Sequence, residues 1–369
     1  MPLMDKKNVL SKYDLFVTIV LTVMGTTLFS LPRVISERLG TDGWVVIILM
    51  GAITLPFLYI LCKSIKVNGY RRFTLMLEDR FGKILGKLIA LYVVIAGVFV
   101  ISVEMRIFTE VVKMYLLDRT PAEFIILLMI LVASILVRGE IESVIKFNGV
   151  AFWVMIIPVL LVIPFVLFNA NFTNIFPILT HTPLDYARAI RPSLYSFVGL
   201  GIIYMVLPLL KEKKGAFKVT FKSVIFIVIF YLIIVLSTLF IFPSRYNAKL
   251  LWPTITMIST VNIPGTFLER WEGFVMIFWI LFYFAKFVNI LCFSSEIVRD
   301  VFRLGDVKLS VALIAPFIYV LSLYPENIAE VYALRDAFIP YIDTIIVGLI
   351  PIALLVAGLG KARRVKDES

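Results

Sequence analysis

Hydrophobic residues in this chain gather in runs whose length matches the ~20 residues that cross a hydrocarbon core, with short segments rich in Lys, Asn, Asp and Pro between them. Ten runs are legible, at 13–35, 43–65, 85–117, 121–137, 144–168, 193–210, 221–242, 273–298, 309–323 and 339–359. They predict an all-α polytopic membrane protein with ten transmembrane helices in one domain, helices 1–5 over about 13–168 and 6–10 over about 193–359. The third run, of 33 residues, is longer than a ~30 Å core at about 1.5 Å per residue, so it must tilt or project. The first run has no small-residue cleavage site behind it and reads as a retained helix.

Two runs are interrupted in the same way. Gly25-Thr-Thr-Leu-Phe-Ser-Leu-Pro32 and Gly201-Ile-Ile-Tyr-Met-Val-Leu-Pro208 each place a glycine seven residues before a proline, about half a chain length apart. Both residue types weaken helical hydrogen bonding, and lipid tolerates freed backbone groups only where protein buries them or they line a cavity. Matched breaks in the first and sixth helices therefore predict an inverted repeat with a ligand site at its centre. The plainer reading is the ordinary abundance of Gly and Pro in membrane helices.

Composition agrees with the pattern: 61% of residues are hydrophobic and 14% aromatic, and mean hydropathy is +0.99, which excludes an ordinary soluble domain. The formal net charge of +11 adds orientation. Lys63, Lys66, Arg71, Arg72, Arg80, Lys83 and Lys87 crowd one loop, and Lys211, Lys213, Lys214, Lys218 and Lys222 follow the sixth run. With the basic tail 360–369, these put both termini on the cytoplasmic side by the positive-inside rule. Topology accounts for the charge, and no nucleic-acid partner is expected.

The opposite loops differ in character. Residues 169–192 hold Asn169, Asn171, Asn174, Pro177, Pro183 and Pro192, an irregular connection expected to pack over the bundle, and 242–266 carries a polar, helical-looking run. His181 has no Cys or acidic neighbours at ligand spacing and reads as a surface residue. Cys62 and Cys292, the only cysteines, read as packing groups. Phosphate loops, catalytic triads and paired carboxylates are missing, so neither an enzyme nor a bound cofactor or metal is expected.

What remains is charge inside apolar runs. Glu104 falls past the middle of the third run and Lys286 near the middle of the eighth. A central charge costs roughly 2.5–3.5 kcal/mol on insertion scales, which makes each a functional-site candidate. An ion pair that only fixes helix packing is the structural alternative. Trp279, Phe282, Lys286, Asn289 and Phe293 share one face of the eighth helix, suited equally to a small ligand or a buried seam. Arg106, Glu110 and Lys113 form a stripe pointing away from Glu104, read as a hydrated vestibule or a subunit contact, and Glu269, Arg270 and Glu272 form a solvated cluster at the mouth of helix eight.

At these residues the chain resembles a known family. Met24-Gly-Thr-Thr-Leu-Phe-Ser-Leu-Pro-Arg33, Asp42-Gly-Trp44, Glu104-Met-Arg106 leading to Glu110-Val-Val-Lys113, Arg119-Thr-Pro121, Trp252-Pro-Thr254 and Phe267-Leu-Glu-Arg-Trp-Glu272 are similar to motifs of spore-germination permeases, the B subunits of nutrient germinant receptors. The resemblance implies a LeuT-like 5+5 inverted repeat of the amino acid–polyamine–organocation superfamily with broken helices 1 and 6. It also implies a place in the spore inner membrane, an A subunit and a C-subunit lipoprotein as partners, and a small nutrient, such as an amino acid, as ligand. Carried over by position, the ligand site comprises Gly25, Thr26, Thr27, Val100, Glu104, Phe197, Val198, Gly199, Gly201, Phe282, Lys286 and Asn289. Family members usually carry a small or hydroxylated residue where Lys286 stands. The rival expectation on the same fold is a proton-coupled amino acid transporter.

Overall fold

The computed structural model describes residues 10–168, 170–260 and 271–367, with the side chains of Glu140, Pro192, Trp271, Glu272, Phe274 and 361–367 outside that description. Of the expected features, Asn169, the Glu269–Arg270–Glu272 cluster and the side chains of the basic tail therefore fall outside it.

The first half holds α1 (Lys12–Val23), α2 (Thr27–Leu39), α3 (Gly43–Val67), α4 (Phe73–Phe81), α5 (Lys83–Tyr115), α6 (Ala122–Arg138) and α7 (Glu140–Phe168). The second holds α8 (Pro183–Ser193), α9 (Ile203–Val206), α10 (Ala216–Ile241), α11 (Ser244–Asn247), α12 (Pro253–Ser259), α13 (Trp271–Phe302), α14 (Val307–Leu323), α15 (Ile328–Asp343) and α16 (Ile350–Asp367). Among the described residues, six stretches can cross a membrane by length and apolar composition, and a seventh counts if the bent pair Pro183–Arg191 and Leu194–Leu209, kinked by 58°, is one span. The chain is thus an all-helical membrane protein.

Local chemistry sets the helix ends. A capping box at Ser11 and Asp14 starts α1, Asp306 caps α14, and Asn327 with Glu330 starts α15. Two expectations change. The connection 169–192 is irregular only to Thr182, where a Thr182–Asp185 capping box and Pro183 at the first turn launch the polar helix α8. The tenth helix starts eleven residues before 339, at Ile328, because its first turns carry Glu330, Arg335 and Asp336, which hydropathy does not count. The structure also inserts a π-helical turn, Thr344–Leu349, between α15 and α16.

The irregular part of that connection does pack over the bundle. Asp42, at the corner between α2 and α3, accepts the amides of Leu179 and Thr180 at 2.5 and 2.8 Å and approaches His181 Nδ1 at 2.8 Å. Among the described residues no group of three potential ligands could hold a metal ion. In the second connection, Thr254 of α12 donates at 2.6 Å to the Leu28 carbonyl, which Pro32 four residues on cannot bond, so this segment packs against α2.

Two antiparallel pairs fill the centre. α5 and α13 touch from Lys87 Nζ–Val301 O at 2.7 Å through Tyr283 OH–Ile101 O at 3.3 Å to the Phe108–Trp279 ring contact at 5.2 Å. The first and sixth spans run alongside each other in opposite directions: the Leu10 amide donates to Leu209 O at 3.1 Å, Gly199 packs on Thr22, and Ser30 Oγ meets Tyr195 OH at 3.2 Å.

Candidate functional site

Both broken spans open where they cross. The first loses helical geometry at Met24, whose ψ of 141° is extended, and resumes at Thr27. The sixth consists of short turns, 3₁₀ at Leu194–Phe197 and Leu200–Ile202, one α turn at Ile203–Val206 and 3₁₀ again at Leu207–Leu209. Its break is at Val198–Gly199, two residues before the glycine that matched Gly25 in sequence. Val198 is extended (ψ 132°), and Gly199 takes φ +116°, which an L side chain rarely adopts. A Cβ on Gly199 would lie 2.6 Å from the Thr22 carbonyl oxygen, so the two breaks are in backbone contact.

The charges of α5 and α13 meet beside this crossing. Lys286 Nζ donates to Glu104 Oε1 at 2.7 Å with both side chains almost wholly buried. The same ammonium lies 3.5 Å from the Val23 carbonyl at the end of α1, and a Cβ on Gly25 would come within 2.6 Å of Lys286 Cδ. Gly25 thus makes room for the lysine stem, and Lys286 ties α13 and α5 to the open end of α1, whose last carbonyls carry partial negative charge. Glu104 Oε2 and Thr27 Oγ1 are buried without a hydrogen bond of normal geometry.

One turn further along α13, Asn289 donates to Thr22 Oγ1 at 2.9 Å and accepts from Asn148 of α7 at 2.7 Å. Asn148 also reaches Thr18 Oγ1 at 3.2 Å. Two turns the other way, Trp279 Nε1 points at Gly25 O at 3.5 Å, and its ring packs on Phe29 at 4.3 Å. The face of α13 read from sequence is therefore the face that meets the break in the first span.

The expected site residues divide into four groups. Gly25, Glu104, Lys286 and Asn289 form the packed polar knot just described. Val100, Val198, Gly199 and Gly201 line a small, half-open cavity beside the second break, with Asp343 and Ser294 as its polar side chains. Phe282 instead lines a small apolar cavity with Phe29, Phe230 and Trp279. Thr26, Thr27 and Phe197 are buried next to the breaks and line neither opening. The stripe on α5 is partly buried, with Arg106 paired to Glu110 at 3.2 Å and reaching Glu326 O at 3.3 Å. Cys62 and Cys292 are both buried.

Sequence reasoning passed over two residues. Asn148 and Asp343 each stand inside a run assigned as membrane-spanning, and the signal was the one that exposed Glu104: a strongly polar group where apolar neighbours leave it little water.

Comparison with known proteins fits this architecture. The sequence model of a family described as "Spore germination protein" matches residues 9–331. Spore germination protein A2 of Bacillus subtilis is 30% identical over 85% of this chain and 86% of its own length. Spore germination protein B2 of the same organism is 25% identical over 84% and 85%. The chain belongs to the spore germination permease family, whose members are transporter-fold membrane proteins and not enzymes. In fold it is similar to a Na⁺-coupled sialic acid symporter, with a TM-score of 0.70 over 94% of this chain and 79% of that one at 13% identity. It is also similar to Mhp1, a nucleobase-cation-symport-1 family transporter, with a TM-score of 0.67 over 94% and 77% at 12% identity. At such identities the likeness shows the LeuT-type fold alone.

Proposed function

We propose that this chain is the B-type subunit of a nutrient germinant receptor, a single transmembrane domain that binds a small polar nutrient, an amino acid, where its two broken helices cross. The observation that carries this reading is the contact of the breaks at Thr22 and Gly199 beside the Glu104–Lys286 pair. Unwound backbone, buried charge and an adjoining cavity meet at one place, and none is needed merely to span a bilayer. The ten spans, with α6 and α14 as short ones and α1–α2 and α15–α16 each as one interrupted span, belong to the same reading. So do cytoplasmic termini, a spore inner membrane location, and assembly with an A subunit and a C-subunit lipoprotein, for which the family names of the relatives give support.

In this mechanism the ligand acts by differential binding: it favours one arrangement of the broken helices over another, and that shift is passed to the partner subunits. Lys286 holds the open end of α1 to α5 and α13. A thermal-shift screen of the purified protein against amino acids, sugars and nucleosides tests the ligand. A true ligand at 100 times its Kd stabilises by about 2.7 kcal/mol. A sugar or nucleoside that binds while every amino acid fails overturns the amino acid assignment. A second reading, a proton-coupled amino acid transporter, is favoured by the symporter likeness. Counterflow in proteoliposomes separates them, since a receptor need not move its ligand across.

A further inference from the structure

The cavity beside the second break contains a charge that the ion pair does not use. Asp343 ends α15 and immediately precedes the π-helical turn Thr344–Leu349. Such turns widen the helix by one residue and are frequent at functional sites. Its carboxylate faces the cavity with Gly199, Gly201, Val100 and Ile346, and Ser294 is the one other polar side chain in that lining. It shares that lining with Gly199 of the second break, while the Lys286 ammonium is already bound to Glu104.

A carboxylate at an apolar opening is costly unless a cation meets it. Glu104 has such a partner at 2.7 Å, whereas Asp343 forms no ion pair among the described residues. The opening in front of it is partly lined by glycine and is bounded on one side by displaced helix backbone. These are the features of a small-molecule site: apolar walls, few polar groups, and one charge to fix orientation.

We propose that Asp343 is the group that receives the protonated amine of the ligand, leaving Glu104 to hold Lys286. This rests on the nutrient-binding reading above and assigns one residue within it. A charge-assisted hydrogen bond from an ammonium to a carboxylate then forms against the Val198–Gly199 break, so amine recognition is coupled directly to the geometry of the sixth span. Ligands whose nitrogen is acylated lose both the charge and the donors.

The test titrates the full-length protein in detergent with the twenty L-amino acids, their N-acetyl derivatives, propylamine and isobutylamine, reading thermal shift and isothermal binding. Expected are binding of free amines by the parent, no binding of N-acetyl forms, and affinity about 10- to 100-fold weaker in Asp343→Asn, with partial recovery in Asp343→Glu. Equal affinity in Asp343→Asn and the parent overturns the assignment while leaving an amino acid receptor intact. N-acetyl forms binding as well as the free amino acids overturn it without need of a variant. If no amine-bearing probe binds the parent but a sugar or nucleoside does, both the assignment and the amino acid reading fall.

Discussion

At the scale of single residues, the Glu104–Lys286 pair explains why two charges persist in the middle of apolar helices. Each alone is expensive, and the 2.7 Å contact between them offsets much of that cost. Removing one leaves the other buried and unmatched, a loss of about 3–5 kcal/mol in known buried pairs. Glu104→Gln and Lys286→Met are therefore each expected to lower the melting midpoint and the nutrient response, with the double variant less impaired than the two losses summed. A double-mutant cycle on the melting midpoint measures this, and strict additivity would contradict a direct pair. Because the ammonium already sits 3.5 Å from the Val23 carbonyl, the response is also expected to be the same in sodium and potassium buffers. Both partners were legible in sequence because a charge among apolar residues is conspicuous. Their pairing was legible only as one option, since nothing in a single sequence states the register of α5 against α13. Asp343 carried an equal signal in the tenth run and was overlooked beside the more central pair.

At the scale of elements, hydropathy located the helices well and their breaks less well. The first break falls at Gly25 as its Gly–Pro pattern suggested, yet the sixth breaks at Gly199, with Gly201 inside a 3₁₀ turn. The reason is tertiary. Glycine permits a break without requiring one, and the chain opens where the partner span presses closest, at the Thr22 carbonyl. Gly199→Ala thus combines backbone strain at φ +116° with an oxygen 2.6 Å from the new methyl. Gly215, at φ +80° with nothing near its Cβ position, isolates the strain alone. Gly215→Ala is expected to cost about 1 kcal/mol and Gly199→Ala to exceed 3 kcal/mol, with loss of nutrient response only in the latter. Equal effects in the two melting curves would mean that the breaks are not pressed together. Elsewhere the hidden signals were polar ones. α8 and the start of α15 are built from capping residues and charged turns, which an apolar count cannot register.

At the scale of the whole molecule, the antiparallel pairings of the first span with the sixth and of α5 with α13 are what a repeated, inverted half-bundle produces, and the likeness to two symporters shows the same fold. That two spans are broken was legible from two interrupted runs half a chain apart. The cavity was not, because it depends on the π-helical turn after Asp343 and on side chains from four separate helices. Orientation is open to a direct check, since both native thiols are buried and give little background. In right-side-out vesicles an impermeant maleimide is expected to label Leu179→Cys, and to label Lys214→Cys only after permeabilisation. The reverse pattern would invert the topology.

The central claim is that the ligand binds where the broken helices cross. Gly201 borders that cavity, and a Cβ there comes 2.8 Å from Ile346 Cγ2, so a larger side chain fills the space between them. The most direct measurement is equilibrium binding of whichever nutrient stabilises the parent in the screen, repeated on Gly201→Val with the unliganded melting curve as a folding control. The account predicts a folded variant that no longer binds; a folded Gly201→Val that binds as tightly as the parent would contradict it.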